Sequence, residues 1–336
     1  MRLLRKISLG LILCAAIPNP SHACLWDSDT LASESARFPD VAGIMTGLFP
    51  RHSQEYHTWR IQQKKPLVDS GKATASDYDD LAVSQHKLGD HQAAIATMMA
   101  KEKQMPGKYE TYSNLGTFYI YTGELRTATV WIEKALDINA NAHFGREKYQ
   151  RYLVLWLREK RSTATSTKET PEELASRYRG EPQGFAAFVA RQEMGNPSAA
   201  TTLRFTETQR QAAIRGVTGM MYFADFDNPI LQEALGDLLS FGDMDTNASQ
   251  LAGLCYLQAF QKAPDTEEKA RLKLLMSRAL AGTRMKDEGH LLKILDKALG
   301  QGEAVNRDVR KDEVAWIAAG KDATQEYQRK YLQASK

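Results

Sequence analysis

Residues 75–108 read ASDYDDLAVSQHKLGDHQAAIATMMAKEKQMPGK and residues 109–142 read YETYSNLGTFYIYTGELRTATVWIEKALDINANA; the two align without a gap at an offset of 34 residues. In that register Tyr78 meets Tyr112, Leu81 meets Leu115, Ala82 meets Gly116, Gly89 meets Gly123 and Ala94 meets Ala128. A fixed period of this size marks stacked supersecondary units. Each copy fits two amphipathic helices folded back on one another. Small residues stand where the backbones approach, Ala82 and Gly116 on the first helices and Ala94 and Ala128 on the second. Gly89 and Gly123 fall at the turn, where positive φ is needed. Leu81, Leu115, Met98 and Ile132 supply apolar bulk between successive hairpins.

The series Tyr112–Leu115–Gly116–Tyr119–Gly123–Ala128–Ile132–Ala135 resembles the signature of the tetratricopeptide repeat. The first copy is looser, with Gln85 and Lys101 at two usual core positions, although Pro106 sits where the family places its terminal proline; the second copy has Ala140 there. The resemblance implies an all-α solenoid of helical hairpins whose concave side, lined by first helices, binds peptides or protein segments. It places groove-facing positions on Asp79, Val83, His86 and Lys87 in the first copy, and on Glu110, Ser113, Thr117, Ile120 and Tyr121 in the second. Members that clamp a terminal carboxylate use Lys, Asn and Arg at several of these places, and Asp79 and Val83 do not suit that ligand. The bland reading of the same residues is simple solvent exposure.

Downstream the pattern stays helical. HFGREKYQRYLVLWLREK (143–160) predicts a long helix on the end of the second copy, completing an array over 75–160. RSTATSTKET (161–170) is the low-complexity stretch and reads as a linker. Residues 171–336 form a divergent helical half in which NPILQEALGDLL (228–239) and NASQLAGLCYLQAFQKAP (247–264) suggest a degenerate further copy. Helix starts are marked by Thr170-Pro171 with Glu173, by Thr206 with Gln209 and by Asp265 with Glu268. No segment alternates with period two, so no sheet is expected.

The N-terminus reads as an address. MRLLRK, ISLGLILCAAI and PNPSHA (1–23) have the basic start, short apolar run and small-residue end of a signal peptide. The expectation is an exported protein, periplasmic or secreted. Cleavage removes Arg2, Arg5 and Lys6 and brings the formal charge of +3 to zero. Nucleic-acid binding needs a phosphate-neutralising surplus, and none is left. Cys24 has three readings: lipid anchor, partner of Cys255, or the residue after the cleavage site. Ser21 stands where a lipoprotein signal wants a large aliphatic residue, so ordinary cleavage fits better and membrane attachment follows only if Cys24 is lipidated. A pairing with Cys255 needs Cα atoms within roughly 7 Å, and a buried thiol at Cys255 is the simpler reading.

Residues 24–74 do not fit the repeat. The opening CLWDSDTL, taken with the two copies, resembles a group of exported bacterial repeat proteins that begin C-L-W-D-x-D-T-L, which supports architecture and address. The block reads as a helical cap on the first repeat, with Trp26, Phe38, Phe49, Tyr56 and Trp59 as packing residues. His52-Ser-Gln-Glu55-Tyr-His57 is one residue away from the metal spacing H-x-x-E-H, which turns the second imidazole roughly 100° off the ligand face of a helix. Asp243-Met-Asp245-Thr-Asn247 begins like a calcium loop, but Ala248 and Leu254 stand where that loop needs Gly and Glu. FADFDNP (223–229) reads as a turn and cap. His86 and His91 flank a turn where exposure is expected, and His143, Arg146, Lys148 and Arg151 read as a solvated face.

Catalytic, cofactor and metal residues are expected to be none, since no nucleophile motif, phosphate-cradling glycine loop or acid–base constellation is present. The leading expectation is an exported, non-catalytic scaffold that binds a protein or peptide through its concave helical surface. The alternative is an envelope enzyme or a lipid-anchored assembly factor with its site in the C-terminal half.

Overall fold

A computed structural model describes residues 41–140, 145–163, 182–198, 202–240, 246–281, 283 and 288–332. Every regular element among them is helical. A short α1 (Val41–Met45) and α2 (Gln54–Asp69) precede two hairpins, α3 (Ala75–Lys87) with α4 (His91–Gln104) and α5 (Tyr109–Tyr121) with α6 (Leu125–Ile138). Then come α7 (Arg146–Thr163), α8 (Gly184–Glu193), α9 (Glu207–Phe223), α10 (Pro229–Leu239), α11 (Thr246–Gln261) and α12 (Thr266–Ala279). The long α13 (Glu288–Ala318), α14 (Ala323–Tyr327) and a π-helical turn (Gln328–Leu332) close the described chain. Cys24, Trp26, Phe38, His143, Asp243 and Asp245, and most of the segment 161–181, lie outside the described residues.

Local chemistry places the helix ends. The Thr74 hydroxyl accepts the Asp77 N–H while the Asp77 carboxylate accepts the Thr74 N–H, a reciprocal cap that starts α3. Thr206 and Gln209 do the same for α9, Asp265 caps α12, and Asn228 ahead of Pro229 caps α10. Gly89 and Gly123 turn each hairpin with φ of +88° and +80°, a conformation glycine adopts without steric cost. Gly116 permits the closest approach of α5 and α6: a Cβ there would stand 2.6 Å from Ile132 Cγ1. Gly236 does the same for α10 and α11, where a Cβ would meet the Tyr256 ring at 2.8 Å.

Two principal cores result. The smaller lies among α3, α4 and α5, with Tyr78, Val83, Met98 and Phe118 buried together. The larger joins Leu125 and Ile132 of α6 to α7, α8, α9, α10, α11, α12 and the start of α13, so one core spans both sides of residues 161–170. Ile44 and Met45 belong to it too. The Met45 carbonyl accepts N–H bonds from Gln232 and Gln258, both at 3.0 Å. The N-terminal block therefore does more than shield the first hairpin, because α2 packs on α3 while α1 packs on α9.

The contacts between helices run in a closed circuit. Successive elements pack from α2 to α7, then α7 on α9, α9 on α10, α10 on α11, α11 on α13, and α13 back on α2. At the closing contact, Gly302 of α13 lies so close to the Thr46 carbonyl that a Cβ would approach it to 2.5 Å. Asn306 accepts the Arg51 N–H at 2.8 Å and donates to the Phe49 carbonyl at 3.2 Å. The described ends of the helical array thus meet.

Candidate functional site

The residues assigned to a groove divide into two groups. Asp79 and Val83 are in the smaller core. Asp79, 1% exposed, receives the Lys101 ammonium at 2.7 Å on each oxygen, and Asn114 Nδ2 stands 3.4 Å away. Burial raises the Asp79 carboxyl above its ordinary range, against the opposing pull of Lys101. Ser113 is also buried, and Glu110 is half-buried on the first turn of α5. Asp79, Val83 and Ser113 are therefore not surface groups available to a partner without rearrangement.

His86, Lys87, Thr117, Ile120 and Tyr121 lie where α3 and α5 meet the C-terminal end of α9. Lys87 donates to the Phe223 carbonyl at 2.9 Å and to the Ala224 carbonyl at 2.5 Å. A cation on the last carbonyls complements the negative end of the helix. The chain's own α9 thus lies against part of the face assigned to a ligand. Beside it remains a small apolar cleft. Thr117, Ile120 and Tyr121 form its α5 wall, and Gln150, Leu153 and Leu157 of α7 form another. Met220, Phe223 and Ala224, then Asn228, Ile230 and Leu231, close it from α9 and α10.

The α7 and α9–α10 walls were not identified as site residues from sequence. Gln150 carries the one signal that was present, an amide beside the apolar residues Tyr149, Leu153, Val154 and Leu157. FADFDNP does make a turn and cap, and it also brings Ala224 and Asn228 to the cleft.

His86 corrects the expectation of an exposed turn residue. It is buried, stacks on Phe118 at 4.8 Å and meets Tyr121 edge-on at 4.5 Å. Its Nδ1 lies 3.0 Å from His91 Nδ1 in a hydrogen bond. Burial, with Lys87 and His91 nearby, holds its pKa well below the usual 6.5. The unfolded residue takes up a proton as pH falls through about 6.5, whereas the folded one does not. Its stabilising contribution is therefore complete above that pH and is lost on acidification by about 1.4 kcal/mol per pH unit. His86→Phe keeps the ring stack and is expected to flatten the loss of unfolding free energy between about pH 6.5 and 5 by that slope. Urea titrations across this range measure it; parallel pH profiles for variant and parent would contradict a buried neutral imidazole.

The remaining motifs resolve as packing. His52 and His57 do not converge on a common point: His52 Nδ1 meets Glu313 at 2.5 Å, while His57 Nδ1 meets Ser84 at 3.3 Å. Among the described residues no group of three metal-ligating side chains comes together. Arg146 is not solvated as expected but buried, with its guanidinium 4.6 Å over the Phe223 ring. Lys148 and Arg151 pair with Glu193 and Glu133. The Cys255 thiol is buried in the larger core, and burial raises its pKa. No described helix is long and apolar enough to cross a membrane.

Comparison of the chain with models of protein families, with curated proteins and with solved structures gives no match in any of the three.

Proposed function

We propose that this chain is an exported, non-catalytic binding protein of tetratricopeptide-repeat type. It takes hold of a protein or peptide segment by seating one apolar side chain in the cleft between α5, α7, α9 and α10. The address rests on the signal-peptide pattern of residues 1–23, and the repeat type rests on the 34-residue register of the two hairpins. One observation carries the binding site: Thr117, Ile120 and Tyr121, groove positions by the family resemblance, share an apolar cleft with Leu153, Leu157 and Met220. Leu153, Leu157, Met220 and Leu231 make its floor apolar and buried, so a ligand group entering it exchanges water for hydrocarbon contact.

Ile120→Trp, which puts an indole into the cleft from a half-buried position, tests the reading. Peptides selected from a random displayed library against the parent protein are expected to share one apolar residue. They are expected to lose at least about tenfold in affinity for Ile120→Trp, the equivalent of about 1.4 kcal/mol. Val130→Glu, on a residue that is 52% exposed, serves as a surface control and should bind as the parent does. Equal binding to Ile120→Trp, with an unchanged thermal midpoint, would place the binding surface elsewhere.

A further inference from the structure

The polar atoms of the cleft specify more than an apolar occupant. Gln150 is 3% exposed, and its Nε2 donates to Thr117 Oγ1 at 2.9 Å. The Thr117 hydroxyl uses its own proton on the Ser113 carbonyl at 3.2 Å. With the hydroxyl proton used there, the hydroxyl accepts from Gln150, and the amide presents its NH₂ to it. Gln150 Oε1 is consequently held as an acceptor, and it is buried with no hydrogen-bond partner. A buried acceptor left unmade costs the desolvation of that group. The Oδ1 of Asn228, the other amide in the lining, already accepts the Ile230 and Leu231 N–H groups at 3.0 and 3.4 Å.

We propose that the cleft is built for an apolar ring that carries one neutral hydrogen-bond donor and no acceptor, namely the indole of a tryptophan side chain on the partner. This inference rests on the cleft being the binding site, as argued above. The donor completes Gln150 Oε1 while the ring meets Leu153, Leu157, Met220 and Ile230. An ammonium or guanidinium would bring a charge into walls that hold no counter-charge among the lining residues. A carboxylate would set acceptor against acceptor. A phenol or a primary amide brings the donor but also lone pairs that would need a second lining donor, the Tyr121 hydroxyl or the Asn228 NH₂, placed to match. Indole N–H is donor only, so its burial beside Oε1 leaves nothing unsatisfied.

Ligand-observed NMR titration of the full chain with indole and with 1-methylindole separates the donor from the ring. Indole is expected to bind about tenfold more tightly, the worth of one hydrogen bond made to an otherwise unsatisfied acceptor. Gln150→Leu is expected to abolish that preference and leave the two probes equal, and Gln150→Met, a straighter chain, provides a second version should the first fold poorly. Equal affinities on the parent protein, or a preference that survives both substitutions, would overturn the donor rule while leaving the cleft as a site. Binding of neither probe, or binding indifferent to Ile120→Trp, would overturn the cleft itself and the proposed function with it.

Discussion

Lys101→Met is expected to destabilise the protein by about 3–5 kcal/mol, the range for removing one partner of a buried ion pair. The lysine ammonium is fully buried and lies 2.7 Å from each oxygen of a carboxylate that is itself buried. Without it Asp79 keeps the Asn114 amide at 3.4 Å, and burial, opposed now by nothing of comparable size, drives the carboxyl further toward its protonated form. The double variant Asp79→Leu with Lys101→Met removes both charges and refills the space with hydrocarbon. It is expected to return to within about 1–2 kcal/mol of the parent, because replacing a whole buried pair by apolar groups is often neutral. Denaturant unfolding of the two single variants and the double variant measures the coupling. A Lys101→Met variant within about 1 kcal/mol of the parent would mean that the pair is solvated, against the burial on which the argument depends.

The same pair explains why the groove reading failed at Asp79. At the 34-residue offset, Asp79 corresponds to Ser113 and Lys101 to Ala135. Both residues of the second copy are small and buried. The first copy fills the corresponding positions with a long cation and a short anion, two departures from the pattern that compensate each other. Taken singly, Lys101 reads as a loose match at a core position and Asp79 as a polar groove residue. Joined across the hairpin, they are one buried unit, and no local periodicity signals such a pairing between residues 22 apart.

What periodicity and capping can report, they reported well. The helix starts at Thr206 and Asp265, the turns at Gly89 and Gly123, and the wholly helical character of the described chain follow from interactions spanning a few residues. His86 escaped because its burial comes from Phe118 and Tyr121 of the next hairpin. The cleft was half legible for the same reason. Thr117, Ile120 and Tyr121 are repeat positions, whereas Gln150, Phe223 and Ile230 reach the site only through the packing of α7, α9 and α10. Closure of the circuit lies furthest from local signals, since its contacts join residues more than 250 apart in sequence.

Glu313→Ala probes that closure, with an expected loss of about 3 kcal/mol, as for a buried charged acceptor removed from two donors. Glu313 is fully buried on a helix whose neighbouring Arg307 and Arg310 are exposed. One of its oxygens meets His52 Nδ1 at 2.5 Å and the other accepts the Ser53 N–H at 2.8 Å. Ser53 in turn caps α2 by accepting the Tyr56 N–H, and His52 is held between the rings of Tyr56 and Tyr327 at 3.6 and 3.8 Å. One carboxylate therefore ties the start of α2 to both α13 and α14. Its removal leaves the Ser53 N–H without this acceptor and loosens the stack. Glu313→Gln retains an acceptor of the same shape and is expected to lose only about 1 kcal/mol, the net worth of an ordinary hydrogen bond. Hydrogen exchange distinguishes local from global effects: in Glu313→Ala, amides of α2, α13 and α14 should exchange faster while those of α10 and α11, held by the larger core, keep their protection. Uniform acceleration across all helices would show that the circuit opens as one cooperative unit, and unchanged exchange in α13 would show that Glu313 does not hold it shut.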